Sequence, residues 1–256
     1  MLRIAVSSYC YGHLHVVQSL RKIAELGIRN VELVSFCHLP FNPLDESRIE
    51  LVKGALQDNG LKVCSYYSTG FDLKNISTAE NACIVAEFLG AKLLVGTGTM
   101  GRQGDRDSAR KALRILDKVL DRYGMRFALE NHWRNIAETP EDMLSLVDGC
   151  SLNIGFALDT GHFVSSGVDP VKAVEQLLPR AYDLHLKDVK ESGAHHNVPY
   201  GEGKARTEEI LKVLVAHDYG GPVIIEFEKE EGDPTEGLRK CIEFLNTRLH
   251  EKSFEA

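Results

Sequence analysis

Short β-branched runs alternate with longer amphipathic stretches along the whole chain. The runs that read as strands are Arg3–Ser7, Asn30–Val34, Lys62–Tyr66, Lys92–Gly96, Arg126–Asn131, Asn153–Leu158, Ala181–Lys187 and Val223–Phe227. The stretches with apolar residues at helical spacing are His15–Leu26, Asp45–Asn59, Ser77–Leu89, Asp105–Tyr123, Pro140–Val147, Pro170–Leu177, Arg206–Ala216 and Thr235–His250. Punctuation supports the helices. Thr139-Pro140 and Asp169-Pro170 place a capping residue before a proline at the first helical position. Gly27, Gly60, Gly90 and Gly124 follow helix ends, where a left-handed residue is wanted. Strict β/α alternation over eight units predicts an α/β fold, a (β/α)8 TIM barrel in one domain. A doubly wound open sheet alternates in the same way, but the first turn, Ser7-Ser8-Tyr9-Cys10-Tyr11-Gly12-His13, is not a Gly-rich phosphate loop.

The length of 256 residues suits one such barrel. Thirty Lys and Arg against 37 Asp and Glu give a net charge of −7, which argues against a binder of nucleic-acid backbones. No apolar run approaches the ~18 residues that cross a bilayer, so no membrane partner is expected. Met-Leu-Arg-Ile-Ala-Val at the start lacks the pattern of a secretory signal. Six cysteines without a C-x-x-C pair, most inside apolar runs, fit buried free thiols. A cytoplasmic location is the expectation.

In a barrel of this kind the active site lies at the C-terminal ends of the strands. Strand five ends Ala128-Leu129-Glu130-Asn131-His132, and strand six ends Ala157-Leu158-Asp159-Thr160-Gly161-His162. Strand seven reads Asp183-Leu184-His185-Leu186-Lys187-Asp188, and strand eight Ile224-Ile225-Glu226-Phe227-Glu228. Period-two geometry turns Glu130, Asp159, His185 and Glu226 inward at one rim. Three adjacent carboxylates are very unfavourable in a buried place unless a cation neutralises them. Three oxygen donors and one nitrogen suit one divalent ion, Mn²⁺ or Mg²⁺, with Zn²⁺ or Co²⁺ as further options. Lys187 shares the inward face with His185, where it holds an oxyanion or pairs with Glu226 or Asp159. His162 is placed to donate to a substrate hydroxyl. His195 and His196 lie in the Glu191–Tyr200 loop over the mouth, and His196 is taken as a substrate contact. Trp133 follows strand five at the rim, as an aromatic wall for a substrate face or as a packed loop anchor, and His132 and Asn131 continue strand five beside the ligands. Tyr9, His13 and His15 are candidates for pocket lining, while Asp188 is expected to orient a neighbour.

The ordered segments Leu129-Glu130-Asn131-His132, Leu158-Asp159-Thr160-Gly161-His162, His185-Leu186-Lys187-Asp188, Gly201-Glu202-Gly203 and Ile225-Glu226 resemble the xylose-isomerase-like superfamily of TIM barrels. That group includes sugar isomerases and epimerases, inosose dehydratases and the endonuclease IV family, and the resemblance spans nearly the whole chain. It implies Glu130, Asp159, His185 and Glu226 as ligands of one metal and His162 as a substrate-binding histidine. Strands three and four end in Tyr66-Tyr67-Ser68 and Gly96-Thr97-Gly98, without the further histidines of the multi-zinc endonucleases. Ile136 and Glu191 stand where the ketohexose 3-epimerases carry Glu and Arg, so the resemblance does not carry a ketohexose over as substrate. The expected activity is a metal-dependent isomerase or epimerase of a small polyhydroxy carbonyl compound, with Glu130, Glu226 and His162 catalytic. A dehydratase is the alternative; a phosphodiester hydrolase or an inactive binding barrel ranks lower. A homo-oligomer is possible.

Overall fold

Eight parallel strands close on themselves in the order β1-β8-β7-β6-β5-β4-β3-β2 in the computed structural model, which describes residues 2–38, 45–68, 76–97, 105–228 and 232–250. Gly98 lies outside the described residues. The strands are β1 Arg3–Ser7, β2 Asn30–Val34, β3 Lys62–Tyr67, β4 Leu93–Gly96, β5 Arg126–Glu130, β6 Ile154–Asp159, β7 Ala181–Leu186 and β8 Pro222–Ile225. The helices are α1 Val16–Glu25, α2 Glu46–Asp58, α3 Ile76–Phe88, α4 Arg106–Tyr123, α5 Pro140–Leu146, α6 Thr160–Ser165, α7 Pro170–Leu177, α8 Thr207–Ala216 and α9 Thr235–His250. The expected barrel is therefore the observed one. None of the described helices is long and apolar enough to cross a membrane.

Local chemistry explains the helix ends. In α4, Ala109, Ala112, Leu113, Leu116, Val119 and Leu120 bury one face, Asp105 caps the start by accepting from the Asp107 amide, and Gly124 stops the helix at φ 58°. Thr139 and Asp142 form a reciprocal capping box on α5, with Pro140 at the first position.

Period two divides the strands between two environments. Outward residues such as Val6, Leu33, Phe127, Phe156 and Leu184 pack on helix residues such as Leu20, Ile23, Leu113 and Leu116. Each such side chain contributes about 1.5–3 kcal/mol on full burial, so this outer shell carries most of the stability. Inside the barrel a smaller apolar plug of Val34, Tyr67, Val95, Ala128 and Ala157 remains. Above and beside it the inward positions are polar and buried: Ser7, Glu32, Ser65, Glu130, Asp159, Asp183 and His185. A barrel that spends its interior on small and charged groups gives up packing for a site.

Two elements depart from the sequence pattern. Residues 160–165, which none of the predicted helices covers, form α6 directly after β6, and every one of them is buried. A helix with no exposed face shows no amphipathic period. A two-stranded antiparallel ribbon, Asp188–Val189 with Asn197–Val198, also rises from the loop after β7. Asp188 fastens that loop: its carboxylate accepts from the backbone amides of Gly201, Gly203 and Ala205. A Cβ on Gly203 would fall 2.2 Å from Asp188 Oδ1, so the Gly201-Glu202-Gly203 turn serves this clamp.

Candidate metal centre and active site

Glu130 ends β5, Asp159 ends β6, His185 is the penultimate residue of β7 and faces inward, and Glu226 follows β8. All four are buried, and one ligand atom from each lies within 4.8 Å of the other three. The structure thus brings the expected set together. His185 Nδ1 stands 2.8 Å from Glu130 Oε1 and 2.9 Å from Glu226 Oε2, yet makes no well-aligned hydrogen bond. Donors about 2.1 Å from a shared ion and at right angles to one another stand about 3 Å apart, so the spacing fits a divalent cation. The charges agree. When ionised, Glu130, Asp159 and Glu226 bring three negative charges against the single positive charge of Lys187, which Glu228 shares, so the cluster keeps an excess of negative charge that a divalent cation would offset.

Lys187 is almost fully buried, with Nζ 3.1 Å from Asp159 Oδ2, 2.8 Å from Glu226 Oε1 and 2.7 Å from Glu228 Oε1. Of the two roles expected for it, ion pairing is the one seen. Its position is built by α6. Thr160 Oγ1 donates to the Lys187 carbonyl and accepts from the Lys187 amide, and a Cβ on Gly161 would collide with the lysine stem at 2.7 Å. Asp159 is held twice over. Its Oδ1 caps α6 by accepting from the His162 amide at 2.7 Å, and Asn131 grips its backbone N–H and carbonyl.

The two glutamates are not equivalent. Tyr67 donates its phenol to Glu130 Oε2 at 2.5 Å. Burial pushes the Glu130 carboxyl up, and it stays raised although His185 opposes the shift. Burial acts on Glu226 in the same direction, but Lys187 and then His185 outweigh it and hold that carboxyl well below its ordinary value. Burial also opposes the Lys187 charge, and Asp159, Glu226 and Glu228 more than restore it. Desolvation, then Lys187 and the neighbouring histidines, drive His162 far down, so its ring is neutral and its Nδ1 is buried without a hydrogen bond.

A cavity of about 700 Å³ opens over this cluster. One wall is a column of rings: His132 and His162 at 3.9 Å between centroids, His162 and His195 at 4.8 Å, and Trp133 and His195 at 6.4 Å. Tyr9 and Phe36, in edge contact at 5.2 Å, line the same cavity. His132, Trp133 and His162 therefore reach the place expected of them. The loop histidine on the wall is His195, not His196. Neighbouring residues entering the ribbon point to opposite sides, and His196 is exposed while its carbonyl accepts from the Lys190 amide. His13 and His15 do not line the cavity, whereas Tyr9 does. Glu32, Tyr67 and Glu228 line it as well and were not expected from sequence. The acidic residue inside N-V-E-L-V was the one available signal for Glu32.

The cysteines take no part. All six are free, and burial pushes the Cys37, Cys83 and Cys241 thiols up to about 12.

A closed barrel with an acidic, histidine-containing centre at the C-terminal rim defines a metal-capable enzyme scaffold. The chain belongs to the family of xylose isomerase-like TIM barrels, whose model matches residues 20–248. It is similar to the inosose dehydratase of Bacillus thuringiensis (strain Al Hakam), 26% identical over an alignment 258 positions long that covers 90% of this chain and 80% of that protein. Among solved structures it resembles L-ribulose 3-epimerase, with a TM-score of 0.80 at 18% identity, covering 100% of this chain and 96% of the other. It also resembles the probable 3-DHS dehydratase AsbF of Bacillus anthracis, with a TM-score of 0.77 at 17% identity over 96% and 99% of the two chains. At these identities the two structures establish the shared fold.

Proposed function

We propose that this protein is a divalent-metal-dependent isomerase or epimerase of a small polyhydroxy carbonyl compound, and that it moves a proton on the carbon beside the carbonyl. The observation that carries the reading is the pair of buried carboxylates, Glu130 and Glu226, whose oxygens flank His185 Nδ1 and face one cavity. Glu130, Asp159, His185 and Glu226 would hold the ion, and the oxygen-rich set favours Mn²⁺ or Mg²⁺. Bound there, the ion would supply Lewis-acid polarisation of the substrate carbonyl.

The side chains supply the rest. Glu226, kept ionised by Lys187, takes the proton, and Glu130, raised by burial and held by a hydrogen bond from the Tyr67 phenol, carries the proton returned to the substrate; exchange with water in the cavity resets the pair. Neutral His162 donates to a hydroxyl from the ring column, and Trp133 covers an apolar face of the substrate. A cytoplasmic setting belongs to this reading, in keeping with the free thiols. The similarity to inosose dehydratases favours a second reading. The same proton is removed, and a β-hydroxyl then leaves as water with a proton from the Lys187 ammonium, while neutral His162 can only hydrogen-bond to it.

Metal analysis of the purified protein and incubation with ketoses, inososes and hydroxy-keto acids in D₂O with Mn²⁺ test both. One divalent ion per chain and deuterium uptake at the carbon beside the carbonyl, without loss of water, is the expected result. Uptake with loss of water assigns the dehydratase, and absence of both metal and exchange overturns the proposal.

A further inference from the structure

Beneath the four-donor cluster lies an acidic side chain that neither reading uses. Glu32, on β2, is fully buried, and its Oε2 stands 3.1 Å from His185 Nε2. The imidazole is thus held between two sets of oxygens. Nδ1 faces Glu130 and Glu226, and Nε2 faces Glu32. Asp183 Oδ1 lies 4.0 Å from the same Nε2, too far for a hydrogen bond, so Glu32 is the partner.

The strand register has been adjusted to put Glu32 there. The β2–β3 pairing slips between Val31 and Glu32: Val31 sits opposite Val63, but Glu32 sits opposite Ser65, with Cys64 left over. That irregularity brings the Ser65 hydroxyl against Glu32, and it donates to Oε2 at 3.1 Å. Without the slip a thiol side chain would occupy the opposed position. Glu32 is therefore oriented by a hydroxyl on one side and orients a ring on the other.

We propose that Glu32 is a positioning residue: it accepts a hydrogen bond from the Nε2–H of His185 and so keeps Nδ1 unprotonated and aimed at the four-donor cluster. A neutral imidazole carries one proton on two nitrogens, and the hydrogen bond made by one decides which of them offers a lone pair. A buried carboxylate on the outer nitrogen also strengthens the inner one as a donor. The inference rests on the metal-centre reading above, and it concerns affinity and tautomer rather than turnover.

The test is calorimetric titration of the full chain with Mn²⁺, comparing wild type with Glu32→Gln and Glu32→Leu. Long-range ¹H–¹⁵N spectra of the wild-type protein loaded with diamagnetic Zn²⁺ complete it. Glu32→Leu is expected to weaken Mn²⁺ binding by about 10–100-fold. Glu32→Gln, whose amide oxygen still accepts from Nε2, is expected to fall between the two. The spectrum should show His185 protonated at Nε2. Unchanged Mn²⁺ affinity in the variants, or a proton on Nδ1 in the Zn²⁺-loaded protein, overturns the inference. Should the leucine variant not fold, the glutamine variant and the wild-type spectrum decide the matter. A wild-type chain that binds neither ion instead overturns the metal centre itself, which separates the two failures.

Discussion

Glu226→Gln is expected to lower kcat by about 10²–10⁴-fold, the span that a positioned acid–base group contributes, while part of the metal affinity survives. The amide keeps an oxygen that can face the ion but cannot take a proton from carbon. The side chain it replaces is held by Lys187 at 2.8 Å on one oxygen and faces His185 at 2.9 Å with the other, so the amide keeps the shape but can serve only one of the two as an acceptor. Steady-state kinetics beside a Mn²⁺ titration separate the two effects. Undiminished turnover would remove Glu226 from the role of base and leave it a ligand only.

The largest effect on stability is expected from Lys187→Met. The ammonium contacts Asp159, Glu226 and Glu228 from a nearly inaccessible position, and methionine keeps the stem while leaving those carboxylates without their cation. Removing one partner of a buried ion pair costs about 3–5 kcal/mol. Urea unfolding of metal-free protein measures it. The pH dependence follows from the direction of the shifts. The raised value of Lys187 means its contribution is complete below the ordinary lysine value of about 10.4 and fades as pH rises through the folded value. The depressed value of Glu226 means its contribution is present above the ordinary glutamate value of about 4.3 and fades below it. The gap between wild type and variant should therefore be full from about pH 5 to 10 and narrow at both ends. A gap independent of pH would point to lost packing of the stem instead.

Alternation of period two made much of this centre readable. It put Glu130, Asp159, His185 and Glu226 on inward positions before any coordinates, because one face of each strand is apolar and the rim is not. It did not reveal Glu32. Val31, Leu33 and Val34 around it form an apolar run that gives no face, and its opposition to Ser65 depends on a slip that only the paired strands show. Tyr67 was named at the end of the third strand but given no role, because its phenol meets Glu130 from a different strand and only the closed barrel brings the two together. The helix α6 was hidden for another reason: Asp159 both ends β6 and caps the next helix, so no loop residues mark the boundary. The choice of His195 over His196 turns on which side of a two-residue ribbon each neighbour faces, and composition carries no trace of that.

Trp133 is the single tryptophan of the chain, and it stands on the cavity wall with the Arg134 guanidinium 4.1 Å over its ring and the His195 ring parallel to it. The tryptophan emission of the whole protein therefore originates at the cavity wall, beside an imidazole able to quench it. Occupancy of that cavity is written into the native fluorescence, and a binding isotherm can be read without attaching a dye.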